Sequence, residues 1–207
     1  DWVINGAKMW ITNGNLAQIA VVWAQTEDGI QGFIVPTDSK GFTAQQIHKK
    51  MSLRASVTSA LFFDNVRVSA DSLVGEEGEG FRYILSGMNA ERILIGAECI
   101  GDARWFIDKA TAYAGTRAVF GRPIGQNQGI QLPIARAYAR MRAAELMVRE
   151  AIGLYEAGRD CGAEANMAKL LAAEASWAAA EIVVDTHGGF GFAEEFDIER
   201  KFRETRL

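Results

Sequence analysis

Gly75-Glu76-Glu77-Gly78-Glu79-Gly80 separates two parts of the chain that follow different periods. The stretch offers no apolar side chain to bury, and its glycines accept turn conformations that other residues resist. Beyond it, Phe81, Ile84, Leu85 and Met88 recur three or four apart, which places them on one helical face. This spacing predicts a helix to about Thr116, stopped by Phe120-Gly121-Arg122-Pro123. A second helix is predicted from about Asn127 to Ala157, with Ile130, Ile134, Tyr138, Met141 and Val148 on its buried side and Gly158 at its end. A third, alanine-rich helix is predicted from about Ala163 to Thr186. Its Met167, Leu170, Leu171, Ile182 and Val183 are expected to seek larger neighbours, and Gly188-Gly189 terminates it. A short fourth helix is predicted over Asp197 to Leu207. Long helices on short loops form an antiparallel bundle, here of four-helix type, over residues 75–207.

Upstream, residues 1–74 read as β. Asn5-Gly6 between apolar runs signals a hairpin. Short strands are predicted at Ile19–Ala24, Gln31–Val35, Phe42–Gln46 and Ser59–Val66. Turn chemistry separates them at Asp28-Gly29, Ser39-Lys40-Gly41 and Asp64-Asn65. The fold class is therefore α+β: a small antiparallel barrel or sandwich followed by the bundle.

The 22 basic and 26 acidic residues give a net charge of -4 over 207 residues. Nucleic acid and membrane surfaces both ask for a local excess of Lys and Arg, so neither is expected as a partner. No apolar run is long enough to span a bilayer, and no signal peptide is expected in this stretch. Asp1-Trp2-Val3-Ile4 already reads as a strand, so the chain is expected to start inside a domain. Cys99 and Cys161 fall in apolar helical stretches, outside metal or redox spacings. They read as buried reduced thiols of a cytoplasmic protein. His48 and His187 have no His or Cys neighbours, so no metal site is expected. Arg136, Arg140, Arg142 and Arg149 interleave with Glu145 and Glu150 and read as a solvated, salt-bridged face. Arg203 and Arg206 read as surface or interface residues.

Three segments carry a family resemblance. They are Met9-Trp10-Ile11-Thr12-Asn13-Gly14, Arg117-Ala118-Val119-Phe120-Gly121, and Val184-Asp185-Thr186-His187-Gly188-Gly189-Phe190-Gly191. In this order they make the chain resemble the flavin-binding half of an acyl-CoA dehydrogenase, and the likeness runs from Trp2 to Leu207. The resemblance implies FAD as cofactor. Trp10 would stack beside the isoalloxazine ring, Thr12 would hydrogen-bond its N5, and Ile11 between them would belong to the same cofactor-binding run. A flat aromatic surface holds such a ring, and a donor at N5 supports the arriving hydride. Arg117 would bind the dinucleotide's pyrophosphate from a neighbouring subunit, since a guanidinium fork suits phosphate oxygens. Val119 stands where the family often has Thr, which removes a hydroxyl contact, and Phe120 completes the segment. Gln128 matches a residue at the adenosine end, whereas Asn127 replaces a common His. His187, Gly188 and Gly189 would let backbone N–H groups approach the dinucleotide arm. Asp185 replaces a frequent Gln and is expected to point away from phosphate.

The reaction implied is removal of an α-proton from an acyl-CoA thioester with transfer of the β-hydride to flavin N5. It needs a carboxylate able to reach the α-carbon. Met88-Asn89-Ala90-Glu91-Arg92 matches the first bundle helix of the isovaleryl and long-chain types, which places Glu91 at the base position. Most other members place the base on a loop further along the sequence. Asn89, Ala90 and Arg92 match the stretch that lines the acyl-CoA site. The resemblance further implies an electron-transfer flavoprotein as acceptor and a homodimer or homotetramer. Other readings on the same scaffold are an acyl-CoA oxidase, a nitroalkane oxidase or a flavin monooxygenase. A different class of reading is a non-catalytic helical assembly module.

Overall fold

Alternating apolar residues upstream of Gly75 build strands, and the small residues downstream build closely packed helices. The computed structural model describes residues 1–206, and Leu207, the last residue of the fourth predicted helix, lies outside them. The chain divides into two compact units, Asp1–Ser86 and Gly87–Leu207, with the division inside the first long helix.

The first unit contains β1 (Trp2–Thr12), β2 (Ile19–Thr26), β3 (Gly29–Pro36), β4 (Phe42–Gln46) and β5 (Thr58–Val68). They form a three-stranded antiparallel sheet in the order β1-β5-β4 and a β2-β3 hairpin. Ile4, Val22, Phe33, Val35, Leu61, Phe63, Val66 and Val68, drawn from both sheets, make one buried cluster. The two sheets do not close into a barrel, so the sandwich reading holds and the barrel does not.

The expected hairpin at Asn5-Gly6 is also corrected. β1 runs straight through it, and the irregularity is a bulge in which Ile4 faces Val66 and Gly6 faces Phe63. The Asn5 side-chain carbonyl accepts the Asn65 N–H at 2.8 Å, which ties the bulge across the sheet instead of closing a turn. A second bulge lies between Lys8 and Ile11 and contains Trp10, whose φ is 62°.

The second unit holds most of α1 (Gly80–Thr116), with α2 (Gln128–Glu156), α3 (Gly162–His187) and α4 (Ile198–Glu204). A small ladder of β6 (Ala118–Val119) and β7 (Arg122–Pro123) follows α1. On α3 the buried positions include Ala165, Ala168, Ala172, Ala175, Ala179 and Ala180. These meet Ala137, Met141, Ala144, Val148 and Ala151 of α2 in one core. Small side chains let the helix axes approach closely. At Gly96 of α1 an added Cβ would lie 3.3 Å from Val148 Cγ2 and 3.5 Å from the Ala168 carbonyl. Filling comes from Ile93, Ile100 and Phe106 of α1 and Ile198 of α4. The alanine face thus takes over the packing expected of larger residues. Met167, Leu170 and Leu171 are exposed, as are Tyr138 on α2 and Phe81 and Leu85 at the start of α1. Cys161 is buried and Cys99 is half-buried, and both are free thiols. No helix of the described residues is long and apolar enough to cross a membrane.

The arginine face of α2 is more than solvated. Glu145 is buried and receives Arg149 at 2.8 Å, Arg142, and Arg104 of α1 at 3.3 Å. Hydrogen bonding from Arg149, opposed by burial and reinforced by Arg142 and Arg104, holds the Glu145 carboxyl below the usual carboxylate range. A carboxyl whose folded pKa is depressed stabilises the fold above its ordinary value and stops doing so as pH falls through the depressed one. The three arginine side chains are between 46% and 69% exposed, so the effect is that of a screened cluster. Glu145→Gln is expected to cost about 1–2 kcal/mol at pH 7. The difference from the parent should shrink below about pH 4.5, where the unfolded carboxyl takes up its proton. Paired urea titrations across pH 3–7 measure it, and a difference that does not vary with pH would contradict the charge argument.

Candidate functional site

The end of α1 and the end of α3 meet at a cavity of about 620 Å³. The Arg117 N–H bonds the Tyr113 carbonyl at 2.8 Å, and the Ile124 N–H bonds the Arg117 carbonyl at 2.8 Å, so Arg117 is fixed at the base of the β6-β7 hairpin. Its guanidinium lies 5.6 Å from the centre of the Phe190 ring. Gly188 ends α3 with φ 57° and ψ -131°, a conformation suited to glycine, and its N–H returns to the Val184 and Asp185 carbonyls. Arg117, Val119, His187, Gly188 and Gly189 all line this one cavity. No side chain crowds the Cβ positions of the two glycines.

His187 is buried and stacks on Tyr113 with ring centres 3.9 Å apart and planes at 23°. Its Nδ1 lies 2.8 Å from the Val183 carbonyl, an acceptor, so Nδ1 carries the proton. Burial pushes the His187 pKa down, so the ring stays neutral at neutral pH and Nε2 keeps its lone pair. Asp185 is exposed and is among the residues that line the cavity, and the last turn of α3 curls its carbonyl into the glycine cap. Tyr113, Thr186, Phe190, Ile124 and Ala193 also line it and were not singled out from the sequence. The available signal was spacing: Tyr113 sits one helical turn before Arg117, and Phe190 directly follows the glycine pair.

Two expected cofactor residues lie outside the lining. Phe120, at φ 54°, is fully exposed at the hairpin tip, and Gln128 is exposed at the first residue of α2. In the first unit Trp10 and Thr12 are exposed and Ile11 is half-buried. On α1, Glu91 is exposed and makes no hydrogen bond or ion pair among the described residues, while Asn89, Ala90 and Arg92 are half-buried. A larger apolar cavity of about 670 Å³ between α1 and α2 gathers none of the expected residues. Among the described residues no three metal-ligating side chains cluster.

The acyl-CoA dehydrogenase middle-domain model matches residues 1–66, and the C-terminal-domain model matches residues 78–207. The chain belongs to the acyl-CoA dehydrogenase family. An acyl-CoA dehydrogenase of Bacillus subtilis (strain 168) is 38% identical over the whole chain, which covers 56% of that protein. A short/branched chain specific acyl-CoA dehydrogenase of Rattus norvegicus is 35% identical over the whole chain, which covers 49% of it. The structure of a glutaryl-CoA dehydrogenase from Mycobacterium smegmatis in complex with FADH2 superposes with a TM-score of 0.92 at 38% identity. It covers 99% of this chain, which in turn covers 53% of it. The chain thus spans about half the length of the relatives it matches. The likeness extends through both units, so the exposed indole of Trp10 and the cavity at Arg117 belong to parts of one family scaffold.

Trp10 sits in the left-handed region, where a side chain costs roughly 1–2 kcal/mol, and 64% of it is exposed. Trp10→Gly relieves that strain and loses little packing. Its thermal stability is expected to stay within about 1 kcal/mol of the parent, since glycine in a strand costs about as much as the relief returns. A loss of about 3–5 kcal/mol, the size of a core aromatic deletion, would show that the indole is core instead.

Proposed function

We propose that this chain forms part of an FAD-dependent acyl-CoA dehydrogenase that introduces an α,β-double bond into an acyl-CoA thioester. The observation that carries the reading is the convergence of Arg117 and the Gly188-Gly189 backbone on one cavity. A guanidinium beside open glycine backbone is a donor set fitted to a pyrophosphate. Phe190 beneath Arg117 and neutral His187 beside it supply flat and acceptor surfaces for the rest of a dinucleotide. Trp10, Ile11 and Thr12 would hold the cofactor's ring, and Arg117 would reach its phosphates from a neighbouring subunit, beside the glycines of its own cavity. When bound, FAD supplies the acceptor for the substrate's β-hydride.

Glu91 takes the α-proton of the thioester. It stands exposed on α1 with no competing partner among the described residues, so its carboxylate is free to meet a substrate. Asn89, Ala90 and Arg92 on the same turn position the thioester. Two electrons and one proton leave the substrate as hydride and the other proton leaves to Glu91, so the product is the enoyl thioester. An electron-transfer flavoprotein is the acceptor that regenerates the oxidised state, and the working assembly is a homodimer or homotetramer.

The purified full-length protein is expected to be yellow and to bleach on addition of an acyl-CoA under anaerobic conditions. Arg117→Ala should lower flavin retention at least about tenfold, the effect of losing roughly 1.4 kcal/mol. Glu91→Gln should retain flavin and lose bleaching. A colourless full-length protein that cannot be reconstituted with FAD would overturn the reading. Normal bleaching in Glu91→Gln would assign the proton to another base.

A further inference from the structure

A third cavity, of about 270 Å³, lies in the second unit and is not used by the cofactor residues. One face of α3 forms its wall with Asn166, Lys169, Leu170, Ala173, Glu174 and Trp177, which recur at helical spacing. Arg92 of α1 and Arg206 complete it. The guanidinium of Arg206 lies 4.7 Å from the centre of the Trp177 ring, and Phe202 packs against that ring at 4.8 Å. The indole is therefore a fixed floor with a cation above it.

The charges around this cavity are unbalanced. Three cations, Arg92, Lys169 and Arg206, face a single acid, Glu174. Several arginines of the unit are paired, Arg104, Arg142 and Arg149 with Glu145, and Arg200 with Asp197 and Glu204. Among the described residues none of the three cations here has a carboxylate within ion-pair distance, and Arg92 reaches only the Met88 sulfur at 3.9 Å. Converging cations left without counter-charge raise the local concentration of anions. The arginines among them carry the planar fork that suits oxyanions. The volume accommodates a short diacid or a phosphate group and lies below the range of drug-sized sites.

We propose that this cavity is an oxyanion subsite formed by Arg92, Lys169 and Arg206 over the Trp177 floor. Its ligand is the carboxylate at the end of an acyl group or a phosphate of the thioester's carrier, two sources of the same chemistry. Arg92 directly follows Glu91 on α1, so the cavity has a residue in the same helical turn as the proposed base. That choice of ligand rests on the acyl-CoA reading, whereas the anion site itself does not.

The test is flavin-independent. Tryptophan fluorescence of the chain is titrated with glutarate, with inorganic phosphate, and with sodium chloride at matched ionic strength, and the same series is run on Trp177→Phe. Glutarate or phosphate is expected to give a saturable change with a midpoint on the order of 1 mM, lost in Trp177→Phe. Lys169→Gln and Arg206→Gln, both at exposed positions, should each raise the midpoint about fivefold or more. Tighter binding of glutarate assigns the site to an acyl carboxylate, and tighter binding of phosphate assigns it to the carrier. A response no larger than that to chloride, or one unchanged in both charge variants, overturns the proposal. Saturable binding in a protein that never bleaches with acyl-CoA would retain the anion site and remove the dehydrogenase reading instead.

Discussion

The helical unit depends on the close approach of α2 and α3, whose meeting surface is mostly alanine on α3 and alternates alanine with Met141 and Val148 on α2. Close packing leaves no room for a larger residue and no void for water. The axial position of α3 is consequently fixed along its whole length. Its C-terminal cap, where Gly188 turns the chain, is then presented at the end of α1 where Arg117 begins the β6-β7 hairpin. A helix held by a looser, more adaptable face would leave that cap free to slide, and the cavity between the two helix ends would lose its shape.

Charge is distributed around this scaffold in three different ways. Around Glu145 the guanidinium groups answer a buried carboxylate and lock α1 to α2. At the α3 cap a single guanidinium faces exposed backbone and an aromatic ring, with a neutral His187 alongside. Along the α3 face near Trp177 three cations stand with one acid among them. The first arrangement is self-contained, while the other two leave donor capacity unspent. A protein surface that must bind anionic phosphates or carboxylates needs such unspent capacity, because a cation already paired would have to exchange partners.

Two aromatic residues, Trp10 and Phe120, occupy the left-handed region with their side chains in solvent. Neither position gains packing that would offset the backbone strain within its own unit. Strain that local contacts do not explain tends to collect where a ligand or partner is met. Both residues fall in segments that carry the sequence likeness to the family.

Helix periods, glycine stops and turn chemistry are local properties, so the sequence alone determined the order of strands and helices, most of their limits, and the pairing of a β part with a helical bundle. Its motifs also named Arg117, Val119, His187, Gly188 and Gly189 of the cavity lining, though not Tyr113, Ile124 or Ala193. Tertiary structure decided what local pattern could not. The Asn5-Gly6 signal yields a bulge because Asn65 on a distant strand takes the Asn5 side chain. Leu170 and Leu171 stay outside because the alanines beside them fit α2 more closely. Glu145 becomes a buried anchor because Arg104 arrives from another helix. Hydrophobic period records how much a residue would gain by burial, but which surface is buried depends on the shape of a partner that lies far away in the chain.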